Sequence, residues 1–188
     1  ELEFIGGGEE SFGYLVGTDV RDKDAISASL LACEIGHEDK KQGKSFWQLL
    51  MQCYQKYGLY YEKLISLTKE GKEGAQAISK MMHQYRNVPP KEIGGVAVKS
   101  LADYKKQEKV HLKTLQKTTL TLPQADVLLF ELEDKSHIAL RPSGTEPKIK
   151  FYFSVNQPYD SHIDFETQMD ALNQKTETLM KSFIDHDA

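Results

Sequence analysis

From residue 149 to residue 155 the chain alternates strictly: Ile149, Phe151, Phe153 and Val155 are apolar, while Lys150, Tyr152 and Ser154 between them are polar. A period of two places successive side chains on opposite faces of a strand, so this segment predicts a sheet strand with one buried side. Residues 95–98, 127–132 and 137–140 are shorter apolar runs of the same kind, and residues 2–5 read as a strand ending in Gly6-Gly7-Gly8. Other stretches carry helical spacing. Ile26, Leu30 and Cys33 share a face behind Asp24, an N-cap residue type, and Gly36 is expected to end that helix. Ser45 and Gln48 form an S-x-x-Q capping box ahead of Phe46, Leu49, Leu50, Cys53 and Tyr57, with Gly58 as the stop. Ile78, Met81, Met82 and Tyr85 define a helix over residues 75–86, ended by Pro89-Pro90. Leu172, Thr176, Leu179 and Phe183 define the last helix, over residues 164–184.

The charged, glycine-bearing stretch 68–74 reads as a linker, which divides the chain into residues 1–71 and 72–188. The second part runs helix, antiparallel strands, helix, so the predicted class is α+β in two layers. The chain's 188 residues, 39% of them hydrophobic, suffice for one ordinary domain or two small ones. A net charge of -4 and no basic-aromatic face disfavour a nucleic-acid-binding domain. No apolar run approaches the ~20 residues that span a bilayer, and no export signal opens the sequence, so a cytoplasmic protein with reduced Cys33 and Cys53 is expected. The chain begins at Glu1 on a strand-like piece, which predicts an excerpt of a longer protein.

Two loops carry chemistry. In "RPSGTEPKIKFYF", residues 141–153, Arg141 offers a two-pronged donor to a phosphate or carboxylate. Ser143 and Thr145 add hydroxyls, and Gly144 is expected to take a positive φ that gathers backbone N–H groups into a nest. Pro142 and Pro147 order the loop before a ligand arrives, and Glu146 is expected to point away from it. The same Pro-Ser-Gly-Thr run is also ordinary turn chemistry, and spacing alone does not separate the two. In "GGGEESFGYLVG", Glu9, Glu10 and Ser11 suit a ligand rich in hydroxyls, although a solvated acidic turn has the same composition. Residues 20–24, "VRDKD", bring Arg21 and Lys23 within sequence reach of a phosphate. The six histidines fall in no metal-ligand spacing; His137 lies on a strand just upstream of Arg141.

Taken together these loops resemble the α-D-phosphohexomutase superfamily, which includes phosphoglucomutases. "GEESFG" resembles the family's sugar-binding loop in its third domain, "VRDKDA" the piece that follows, and "RPSGTEPKIKFY" the phosphate-binding loop of the fourth, C-terminal domain. The resemblance implies that Glu9 and Ser11 contact sugar hydroxyls, and that Arg141, Ser143, Gly144 and Thr145 hold the substrate's non-transferring phosphate. Lys23 is implied as an assisting cation. It also implies a partial α/β third domain followed by a TATA-binding-protein-like domain with an antiparallel sheet flanked by helices. The whole enzyme would interconvert hexose 1-phosphate and hexose 6-phosphate, with Mg²⁺ and a hexose 1,6-bisphosphate intermediate. Mannose or pentose phosphates are the alternatives within the family, and a stand-alone phosphosugar-binding module is the alternative outside it. The family's Ser-His-Asn-Pro phosphoserine loop and its "DGDxDR" metal loop are absent: "SHIDF", residues 161–165, lacks the Asn-Pro. No catalytic residue and no metal ligand is therefore expected in this chain, and the family's other domains are its implied partners. Many relatives carry a large aromatic where Ser136 or His137 stands.

Overall fold

A computed structural model describes residues 3–9, 12–69 and 71–184. The chain forms two compact units, Glu1–Tyr57 and Gly58–Ala188. The division falls at Gly58 and not at 71/72, because residues 59–68 belong to the second unit's sheet, in which they pair along their whole length.

In the first unit, β1 (Gly6–Gly8) and β2 (Tyr14–Val16) form an antiparallel hairpin with Gly6 opposite Val16. The strand expected at residues 2–5 thus lies on the glycines instead, where the hairpin finds its hydrogen-bonding partner; Leu2 is outside the described residues. Helix α1 (Ala25–Lys41) starts as expected, with the Asp24 carboxylate accepting from the backbone N–H groups of Ile26 and Ser27. It does not end at Gly36. That glycine sits mid-helix because the Phe46 ring rests on it, 3.0 Å from where a Cβ would stand, and the helix stops at Gln42 and Gly43. Helix α2 (Phe46–Tyr57) opens with the reciprocal box: the Gln48 N–H donates to Ser45 Oγ and the Ser45 N–H to Gln48 Oε1.

The second unit holds an antiparallel sheet. Its strands are β3 (Leu59–Thr68), β4 (Glu92–Ile93), β5 (Val96–Asp103), β6 (Glu108–His111), β7 (Lys117–Thr119), β8 (Leu128–Leu132), β9 (His137–Pro142) and β10 (Lys148–Gln157). Their spatial order is β3-β10-β9-β8-β5-β6-β7, with β4 paired to β5. Helices α3 (Gly71–Asn87) and α4 (Phe165–Ile184) cover one face: α4 packs on β10 and β3, and α3 on β10 and β9. The alternation of β10 explains why. Ile149, Phe151, Phe153 and Val155 are fully buried and meet Leu172, Leu179 and Phe183 of α4 in a common core. Phe183 stacks on Tyr85 at 4.6 Å between ring centres and presents edges to Phe130, Phe151 and Phe153. The Tyr85 hydroxyl, buried with it, donates to the Phe183 carbonyl, so the polar tip is satisfied. The α+β class is as expected; β3, β4, β6 and β7 are the strands the apolar pattern missed.

Candidate functional site

Residues 143–147 close the hairpin between β9 and β10. The hairpin is pinned at its neck, where the Ser143 N–H donates to the Lys148 carbonyl at 2.7 Å. A second tie comes from β3, whose outgoing Lys69 N–H donates to the Pro147 carbonyl at 2.9 Å. Inside the loop Ser143 Oγ accepts from the backbone N–H groups of Glu146 (3.2 Å) and Thr145 (3.4 Å). This is the serine turn that sequence chemistry foresaw, and it already gathers two N–H groups around one oxygen. Gly144 does not adopt positive φ, and a Cβ there would meet nothing within 4 Å. The serine, and not a left-handed glycine, shapes the turn; the glycine leaves open space beside it.

Arg141 is exposed on β9, directly across from Lys150 of β10. Together with Lys148 and the loop these two cations line a concavity of about 410 Å³. Among the described residues none of the three forms an ion pair with a carboxylate. Three cations without a carboxylate partner among the described residues, beside the Ser143 and Thr145 hydroxyls, can receive an anion, since each cation keeps its donors for a ligand. Lys148 and Lys150 were not singled out from the sequence, although the alternation that turns Phe151 inward turns Lys150 outward beside Arg141. Glu146 lines both this concavity and a cleft of about 680 Å³ that the loop also borders. That cleft faces α3, with Ile78 and Met82 at its floor. Arg86 at its edge is committed to Asp103 at 3.0 Å and to Asp126. His137 does not reach the loop: it stands opposite Ser154 and Glu131, four residues down β9 from Arg141.

In the first unit, Glu9, Arg21 and Lys23 line a concavity of about 300 Å³ beside the hairpin turn. The turn is closed by the Glu9 N–H donating to the Gly13 carbonyl at 2.8 Å, with Phe12 in the left-handed region. The Lys23 ammonium lies 3.4 Å from a Glu9 oxygen and 3.4 Å from Asp22. These two charges, Asp22 first, raise its pKa above the ordinary lysine value. The Lys23 stem crosses Gly13 so closely that a Cβ there would stand 2.3 Å from it. "GEESFG" and "VRDKD" are therefore brought together, and Glu9 with Lys23 forms a mixed-charge rim. Ser11 lies outside the described residues. Among the described residues no group of three or more His, Cys, Asp or Glu is placed to hold a metal ion.

Three comparisons with known proteins bear on this arrangement. Residues 1–57, the first compact unit, match the family described as phosphoglucomutase/phosphomannomutase, alpha/beta/alpha domain III. Phosphoglucomutase from Staphylococcus aureus (strain USA300) is 42% identical over 150 residues, which is 80% of this chain and 27% of that protein. The protein of strain bovine RF122 / ET3-1 is 41% identical over the same length. The chain thus spans about a quarter of the length of the curated relatives it matches. Among solved structures, the open form of the exocytosis-sensitive phosphoprotein pp63/parafusin, a phosphoglucomutase from Paramecium, aligns with a TM-score of 0.53. That likeness covers 93% of this chain and 30% of the other at 17% identity, and it speaks for the fold. The chain belongs to the α-D-phosphohexomutase superfamily.

Proposed function

We propose that this chain is the C-terminal portion of a phosphoglucomutase-type enzyme that interconverts hexose 1-phosphate and hexose 6-phosphate. The observation that carries the reading is the concavity at the β9–β10 hairpin, where Arg141, Lys148 and Lys150 have no acidic partner among the described residues and stand beside the serine turn. Arg141, Ser143, Gly144 and Thr145 clamp the phosphate that is not transferred, while Glu9 and Ser11 read the sugar hydroxyls and Lys23 assists beside them. Residues 1–57 are then the end of the third domain, and the unit from Gly58 is the phosphate-binding fourth domain. In this reading Mg²⁺ and the phosphorylated serine belong to the enzyme's other domains. The substrate passes through a hexose 1,6-bisphosphate that must present either end to the same clamp. A clamp built of cations, hydroxyls and N–H groups suits that task, since it recognises the dianion and leaves the sugar free to face either way. Phosphomannomutase and phosphopentomutase activity are the alternatives at the sugar loop. No helix among the described residues is long and apolar enough to cross a membrane; a cytoplasmic location is part of the proposal.

Arg141→Ala in the full-length enzyme removes a charge-assisted, two-pronged contact of about 2–3 kcal/mol, so kcat/KM for hexose phosphate should fall roughly 100-fold. Unchanged kinetics would remove the clamp assignment. The 188-residue chain alone should show no turnover in a coupled mutase assay, and measurable activity free of other mutases would refute the division of labour between domains.

A further inference from the structure

The sheet face turned away from α3 and α4 carries a second polar cluster, formed where four strands bring together residues distant in sequence. His111 of β6, Ser100 of β5, Glu131 of β8 and His137 of β9 stand in one row across the strands. The register of β5 against β8 shifts between Val98 and Ser100, which inserts Lys99 as the extra residue. A bulge re-aims a side chain that regular pleating would send elsewhere. The Lys99 ammonium reaches one Glu131 oxygen at 2.5 Å, and the Lys109 ammonium reaches the other at 2.8 Å. Ser100 Oγ donates to the same carboxylate at 3.0 Å. Hydrogen bonds from Lys109 and Lys99, with Ser100 adding to them, hold the Glu131 pKa at about 2. These residues, with His111, Gln116 and Thr118, line a pocket of about 180 Å³.

The donor and acceptor inventory of this pocket does not balance. Two ammonium groups share one carboxylate, which leaves one positive charge over. The neighbouring acids are committed elsewhere, Glu133 to Lys113 and Glu108 to Lys117. Each ammonium has three N–H bonds and gives one to Glu131, so spare donors converge on the pocket. His111 adds another: its Nδ1 accepts from the Thr114 N–H, which leaves the ring proton on Nε2. The carboxylate, the pocket's one acidic group, already has both oxygens in use. Surplus donors and surplus positive charge around a saturated acceptor are complementary to a small oxyanion.

We propose that this pocket between β5, β6 and β8 is a second anion site, separate from the β9–β10 loop, that takes a small free oxyanion of the inorganic phosphate class. Sheet geometry keeps the two sites apart. Four residues along β9 and two strands across, at ~3.4 Å per residue and ~4.8 Å per strand, separate them by roughly 17 Å. One hexose bisphosphate does not bridge that span, and a 180 Å³ pocket admits a free anion more readily than a phosphosugar. The inference does not depend on the loop's assignment.

Equilibrium dialysis of the full-length protein with radiolabelled inorganic phosphate at fixed ionic strength tests it. Lys99→Gln combined with Lys109→Gln should lose one bound phosphate per chain, whereas Arg141→Ala should keep that phosphate. Glu131→Gln removes the competing charge and should tighten the site about tenfold. Undiminished stoichiometry in the double lysine variant, or no tightening in Glu131→Gln, overturns the proposal. If the double variant does not fold, Glu131→Gln decides alone. Competition by hexose phosphate as strong as that by inorganic phosphate would also overturn it, since the site would then hold a phosphosugar. Loss of binding on Arg141→Ala alone would instead merge this site with the loop.

Discussion

The two units differ in what their apolar stripes touch. Before Gly58 no described apolar side chain is buried: Ile26 and Leu30 of α1 are 82% and 61% exposed, and Phe46 and Trp47 of α2 are each more than half exposed. After Gly58 the stripes of α3, α4 and β10 meet one another, and Phe130, Phe151, Phe153 and Phe183 are sealed. Both units have helical spacing and capping side chains, Asp24 in the first and Asp164 in the second. An amphipathic pattern specifies a face that must be covered, but it does not supply the cover. On the function proposed above, the remainder of an α/β/α domain lies over α1 and α2. The stability of this chain therefore resides in the second unit.

The strongest way to break that contrast is to cut the core. Phe183→Ala removes a ring that stacks on Tyr85 and meets three phenylalanines edge-on, and it should cost about 3–5 kcal/mol in urea unfolding. Trp47→Ala, a larger deletion at a half-exposed site, should cost less than about 1 kcal/mol in this chain. Equal losses would mean that the first unit has a core of its own. Hydrogen exchange sharpens the same point: the β9 and β10 amides should be protected to the global limit, while those of α1 exchange by local opening.

The electrostatics of the units contrast in the same way. Glu9 and Lys23 are each about half exposed, so salt should screen their pair almost completely. Glu131 is 19% exposed and holds two ammonium groups. Its pKa falls from 4.5 to about 2 on folding. A depressed carboxylate contributes stability above its unfolded pKa and loses it as pH falls through the folded value. The full shift corresponds to about 3 kcal/mol, and residual solvent screening brings that to about 2 kcal/mol. Glu131→Gln should therefore be about 2 kcal/mol less stable at pH 7, with the gap closing between pH 4.5 and about 2. A gap independent of pH would show that packing, and not charge, makes the difference.

Legibility in the sequence followed locality. The strand β10 and helix α4 were readable because each carries its own period, as was the capping box at Ser45. The strand β3 was missed although Leu59, Tyr61, Ile65 and Leu67 alternate, because Lys63 interrupts the run and the charge after Thr68 looked like the start of a linker. What makes it a strand is its partner β10, ninety residues away in register, with Lys63 satisfied by Glu177 of α4. Strands β6 and β7 carry lysines and threonines with little apolar pattern, and cross-strand pairs such as Lys117 with Glu108 hold them. The arginine loop was readable as a candidate anion grip since its parts lie within five residues, and that assignment is part of the proposal. The Glu131 cluster was not, because Lys99, Lys109 and Glu131 converge only when the sheet forms.

The smallest effect probes local stability within the first unit. Ser45→Ala removes one half of the box that starts α2: the hydroxyl no longer accepts from the Gln48 N–H, while the backbone N–H of residue 45 keeps its bond to Gln48 Oε1. A lost N-cap costs about 1 kcal/mol. In a cooperative domain that loss would appear in the global unfolding midpoint. Here α2 has no buried residue through which to share it. The change should therefore fray α2 itself, lowering helicity by far-ultraviolet circular dichroism and raising exchange of the Phe46–Tyr57 amides, with the urea midpoint of the second unit unmoved. A midpoint shift equal to the full cap energy would show that the two units unfold as one, and the contrast between them would then be one of exposure alone.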